Sequence, residues 1–154
     1  MLDAFCHWLQ DTQLSLLIST HFWIIPALQT VHILAIASVI SSVFMIDLRL
    51  IGVLRGEQTA EAFASRFLPF VWWPLPILAL TGALLISAEP ARSLENPSFG
   101  IKMALLLAAV AITLLHQKHG TRLARPLRLG IGCTSLVVWT GIVLAGRWIA
   151  YTQP

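Results

Sequence analysis

The sequence predicts an all-α membrane protein: a four-transmembrane-helix bundle preceded by a short interfacial amphipathic helix. Three observations predict it. Of 154 residues, 57% are hydrophobic and only 11% are charged, with a mean hydropathy of +0.80, which is a membrane composition. Four long apolar runs follow one another, separated by short polar or turn-rich connections. The Lys and Arg residues gather in two of those connections, so the net charge of +3 reads as membrane topology rather than nucleic-acid affinity. No nucleic-acid motif is present, and residues 1–154 read as one integral membrane domain.

Residues 2–17 form the amphipathic helix. Leu2, Phe5, Leu9 and Leu16 lie near one face, and Asp3, His7, Gln10 and Asp11 near the other. Such a helix lies in the interface rather than crossing the bilayer. The N-terminus lacks a basic n-region and a small-residue cleavage site, so the first span is expected to insert as a mature helix. That span covers about 21–46, long enough for a hydrocarbon core of about 30 Å. Pro26 near its start is expected to kink it or widen its first turns. Ser38, Ser41 and Ser42 are small enough to let another helix approach. Asp47 and Arg49 read as a polar cap at the exit. Residues 53–65 are a polar connection. The second span, about 67–88, opens on Trp72-Trp73-Pro74-Leu75-Pro76, whose tryptophans suit an interface. A turn-rich loop, 89–97, leads to the third span, about 99–118. A basic connection with Lys118, Arg122, Arg125 and Arg128 leads to the fourth, about 129–149.

The cations set the orientation. The first and third connections hold Arg49, Arg55, Arg66, Lys118, Arg122, Arg125 and Arg128; the opposite side holds Arg92, Lys102 and Arg147. The positive-inside rule then puts both termini outside, periplasmic in a bacterial inner membrane. There is also a faint internal repeat. Each half is a hairpin whose first helix carries a histidine (His32, His116) and whose second carries a Thr-Gly pair (Thr81-Gly82, Thr140-Gly141). As a parallel repeat it would set His32 opposite His116.

Ionisable groups in hydrocarbon are expensive and mark candidate sites. His21 and His32 fall within about 20° on one helix face and ~16 Å apart along the axis. Gln29, one turn before His32, is a candidate to bond a ring nitrogen and fix its tautomer. Lys102 and His116 fall within about 40° of one face and ~21 Å apart. This arrangement suits a haem b held between spans one and three. His32 and His116 would be the axial ligands, and Lys102, with His21 or Arg92, the propionate partners. Imidazoles suit copper as well, and spacing does not separate the two. A membrane histidine also serves simply as interhelical glue. His21, near the boundary, fits an interfacial role better than ligation. Cys6 and Cys133 form no CxxC pair; the adjacent Cys6-His7 is a weak copper motif. No Ser-His-Asp set, phosphate loop or HExxH motif is present, which argues against hydrolytic and phosphoryl-transfer chemistry.

Trp23-x-x-Pro26-x-x-Gln29-x-x-His32, Asp47-Leu48-Arg49-Leu50-x-Gly52, Asn96-Pro97-x-Phe99-x-x-Lys102-x-x-Leu105 and His116 together resemble a bacterial family of small four-span membrane proteins of unknown function. The resemblance covers most of the chain, spans one to three best. The chain departs from the family's pattern at Gln29, where Glu is common, and at Ala111 or Ile112, where an Asn precedes the last histidine. The layout is also similar to membrane b-type cytochromes and to copper-resistance membrane proteins, an analogy of fold. The expected function is electron transfer by a haem b protein rather than stand-alone catalysis. Its expected partners are the lipid bilayer, a quinone, a periplasmic redox protein and further subunits, in a homo- or hetero-oligomer. The alternatives are a copper-handling membrane protein and a non-catalytic anchor of a larger membrane complex.

Overall fold

The computed structural model describes residues 2–119 and 123–151; Arg122 of the basic connection lies outside them. Every element among the described residues is a helix: α1 (Leu2–Gln10), α2 (Gln13–Thr20), α3 (Ile24–Leu50), α4 (Ala60–Phe67), α5 (Pro69–Trp72), α6 (Pro74–Ala88), α7 (Pro90–Leu94), α8 (Pro97–His119) and α9 (Arg125–Tyr151). Four stretches are long and apolar enough to cross a membrane: Ile24–Leu50, Ala60–Ala88, Pro97–Lys118 and Arg125–Trp148. Their outer faces are apolar, with Phe22, Leu34, Trp73, Leu107 and Val137 among many large exposed side chains, as lipid contact requires.

The N-terminal stretch is two short helices, not one. The Thr12 hydroxyl donates to the Leu9 carbonyl and accepts from Ser15 N–H, which makes Thr12 the N-cap of α2. Pro26 falls in the first turn of α3, where its missing N–H leaves no intrahelical bond unmade. The second span begins earlier than its hydropathy suggests, at Ala60, and is cut into α4, α5 and α6 at Pro69 and Pro74. Pro74 has no N–H for the Phe70 carbonyl four residues back. Ser38 of α3 supplies the missing donor, at 3.2 Å. The serines of α3 therefore do more than permit close approach.

The bundle is an open arc. α8 packs on α9, α9 on α3 and α3 on α6, while no substantial interface joins α6 to α8. The core between them is Val39, Val43, Ile46, Leu50, Val71, Ala109, Trp139 and Ile142. The end of the bundle that holds α1, α2 and α7 is here called the terminal end; the other, with the α3–α4 and α8–α9 connections, the basic end. α1 packs on α7 and α2 on α6, so the amphipathic helices cover the terminal end.

The Asp47–Gly52 stretch closes α3. Gly52 adopts φ 85°, the left-handed conformation that glycine takes without a Cβ penalty. Its N–H donates to the Arg49 carbonyl, and Val53 N–H to that of Leu48. Arg49 then folds over the connection, donating to the carbonyls of Leu54, Gly56 and Gln58 and lying over the Phe63 ring. Arg49 is thus a clamp on the loop, more than a boundary charge. Arg49→Lys keeps the charge but loses the planar fork. It should lower unfolding stability in detergent by about 1–3 kcal/mol. Gly52→Ala should cost about 1–2 kcal/mol. Thermal or chemical unfolding of the purified variants measures both.

Candidate functional site

His32 lies on α3, eight residues from the helix start, and lines a cavity of about 520 Å³ towards the terminal end. That volume lies within the roughly 300–1,000 Å³ usual for small-molecule and cofactor sites. α3, α6, α8 and α9 form the walls, which are largely apolar. Leu78, Ala83, Met103 and Leu106 are typical of them, and Trp139 and Val39 close the deep side. The polar groups are few: His32, Gln29, Lys102, Ser93, and Glu89 and Arg92, which pair with each other at 2.8 Å. Because α6 and α8 share no packed interface, the cavity lies between two unjoined helices.

The His32 ring is held in one tautomer. Its Nδ1 lies 2.7 Å from Thr81 Oγ1 on α6, and that hydroxyl lies 2.7 Å from the Ile77 carbonyl. A carbonyl only accepts and a hydroxyl has one hydrogen. Thr81 therefore donates to Ile77, and His32 Nδ1–H donates to Thr81. The Nε2 lone pair is left as the acceptor for the cavity. Gly82 lies beside the ring: a Cβ there would stand in ordinary van der Waals contact, 3.6 Å from His32 Cε1. Of the Thr81-Gly82 pair, it is Thr81 that holds the ring. It also replaces the expected Gln29 contact. Gln29 lines the same cavity, but Thr81 holds the ring nitrogen.

Lys102 enters the same cavity from α8, and its stem packs along Gly146 of α9, where a Cβ would meet Lys102 Cε at 3.6 Å. His32, Gln29 and Lys102 therefore line one cavity, although the sequence sets Lys102 at the depth of His21. His21 is not part of it. It is exposed at the C-cap of α2, with Nδ1 2.9 Å from the Leu17 carbonyl. Cys6 is buried, and burial, with Glu95 and Asp3 nearby, pushes its thiol above the ordinary value, away from the thiolate a metal needs. His7 is exposed.

His116 occupies a different place. Its Nδ1 faces Asp47 Oδ1 at 3.6 Å, and both side chains are almost wholly buried. Asp47 lies fifteen residues beyond His32 on the same straight run of α3, ~22 Å along the axis. The two imidazoles therefore do not face each other, and one iron cannot take both as axial ligands. The sequence sets the two histidines opposite each other; the structure separates them by about four helical turns. The repeat ends at the same point. Thr140 back-bonds to the Leu136 carbonyl of its own helix and does not hold His116. The histidine's partner is instead Asp47, a residue that sequence spacing reads only as a boundary charge. His116, Asp47, Thr113 and Ser135 border a second cavity, of about 350 Å³, towards the basic end. Ser135 of α9 stands at the same cavity wall as the carboxyl.

Thr81→Val keeps the shape and removes the acceptor, leaving a buried donor without a partner. It should destabilise the protein by about 1–3 kcal/mol, and Thr81→Ser should recover most of that loss. Unfolding of the two variants in detergent checks it.

DUF6644, a family of unknown function, matches residues 5–152, and the chain belongs to that family. No curated protein and no solved structure matches it.

Proposed function

We propose that the chain is a small multi-pass haem b protein that transfers electrons, with the haem in the larger cavity between spans one and three and His32 as its protein ligand. The observation that carries this reading is the fixed His32 tautomer. Metal-bound histidines characteristically give the other ring N–H to a neighbouring acceptor, which orients the ring and raises its basicity. Here Thr81 is that acceptor, and Nε2 is directed to an apolar cavity of cofactor size. Bound haem supplies one-electron chemistry. The residues of this chain bind and orient it: His32 at the iron, the apolar walls at the ring faces, and Lys102 as the cation for a propionate. His116 is not a ligand in this reading.

With the cations at the basic end facing the cytoplasm, the cavity faces the periplasmic side of a bacterial inner membrane. A periplasmic redox protein is then the natural exchange partner. The gap between α6 and α8 favours a second occupant class for the same cavity, a quinone or quinol entering from the bilayer. His32 Nε2 would accept from a hydroxyl of the quinol, and Lys102 would donate to a carbonyl of the quinone. Copper draws less support, because among the described residues no three His, Cys, Asp or Glu side chains come together.

The absorption spectrum of the detergent-purified protein, made with ample haem, tests the proposal. A Soret band and sharp dithionite-reduced bands are expected, with one haem per chain. His32→Ala should abolish them, and His116→Ala should leave them in place. A colourless protein, or an unchanged spectrum in His32→Ala, overturns the haem reading. Extraction of a quinone from the colourless protein would select the second occupant, and a metal-free protein that co-purifies with other subunits would point to an anchoring role.

A further inference from the structure

The second cavity has its own chemistry, which the haem reading does not use. Asp47 and His116 meet at its wall with side-chain exposures of only 2% and 7%. Each keeps one buried polar atom without a partner: Asp47 Oδ2 and His116 Nε2. Unpartnered buried polar atoms are uncommon and costly, on the order of 1–3 kcal/mol each. In the neutral ring with its hydrogen on Nδ1, the nitrogen nearer Asp47, Nε2 carries the lone pair. Both orphaned atoms are then acceptors at the wall of the same cavity.

The charged part of the lining agrees in sign, while Ser65, Gln117 and Ser135 add neutral polar groups. The Thr113 hydroxyl gives its hydrogen to the Ala109 carbonyl, so its remaining capacity is to accept. Glu61 adds a second carboxylate from α4, and no Lys or Arg lines the cavity. Acceptors with a negative balance select a cation. Size and ligand count select which kind. A bare metal ion at the Asp47–His116 pair would find one carboxylate and one imidazole, short of a usual protein ligand set; Glu61 does not complete a group of three, and none is present among the described residues. The 350 Å³ volume has mainly aliphatic walls, such as Val43, Ile46 and Leu68, and suits an organic body.

We propose that this cavity binds a small amphipathic organic cation, a primary ammonium on an aliphatic chain, with the N–H donors on Asp47 Oδ2 and His116 Nε2 and the chain along the α3–α4 wall. The site is at the basic end, separate from the His32 cavity. Val39 and Trp139 border one cavity, and Val43 and Ser135, a turn further along α3 and α9, border the other.

Titration calorimetry of the full chain in detergent, with hexylammonium as the probe and 1-hexanol as its uncharged counterpart, tests it. Saturable binding of one hexylammonium per chain is expected, with 1-hexanol at least 10-fold weaker. Asp47→Asn, which keeps the shape and removes the charge, should weaken hexylammonium by 10-fold or more. Should that variant not fold, Glu61→Gln on the accessible rim should weaken binding two- to three-fold. Equal binding of the amine and the alcohol overturns the proposal, as does wild-type affinity in the folded Asp47→Asn variant or in Glu61→Gln. Saturable Zn²⁺ binding with no response to hexylammonium also overturns it, in favour of a metal site.

Discussion

In hydrocarbon, a hydrogen-bonding group has no solvent to fall back on, so every donor and acceptor of the spans must find its partner within the chain. Most of this structure follows from that constraint. Thr30, Ser42, Thr113, Thr134 and Thr140 donate to the carbonyl four residues back on their own helices. Ser38 reaches across to the carbonyl that Pro74 leaves unserved. Arg49 spends its guanidinium on three loop carbonyls. Where satisfaction is so thorough, the remaining lone pairs carry information. Those of His32 and of the Asp47–His116 pair face cavities, and Trp139 Nε1, buried without a partner, stands between the two.

Both cavities depend on the same two helices. α3 carries His32 to one and Asp47 to the other, and α9 borders them with Trp139 and Ser135. Each histidine is built alike: Nδ1 faces an acceptor on a neighbouring helix, Thr81 in one case and Asp47 in the other. The open side between α6 and α8 exists because the chain closes only three of the four possible helix contacts around the arc. A site between spans one and three therefore needs no distortion of the bundle to form.

Family membership fixes what kind of chain this is without assigning an activity. The motif residues nevertheless separate into distinct physical duties. Asn96 and Pro97 start α8: the Asn96 side chain accepts from Ser98 N–H, and Pro97 occupies the first helical position. Arg49 and Gly52 finish α3. His32, Lys102 and Asp47 are left as the members whose presence the fold alone does not require.

The sequence by itself determined the four spans, because an apolar run long enough to cross a bilayer is a property of local composition. Helical periodicity also set His32 and Gln29 on one stripe of the first span and assigned Lys102 to the same site between spans one and three, but by depth it paired Lys102 with His21. Helix ends were less legible. The break at Thr12 and the early start at Ala60 come from capping and proline chemistry that hydropathy averages away. The partners of the histidines were decided only by tertiary structure. Thr81 is forty-nine residues from His32 and Asp47 sixty-nine from His116, and periodicity within one helix carries no information about the depth at which a second helix starts. Errors in the depths of two helices add, and between His32 and His116 they reach several turns. That is why His116 reads as facing His32 in the sequence and faces Asp47 in the fold.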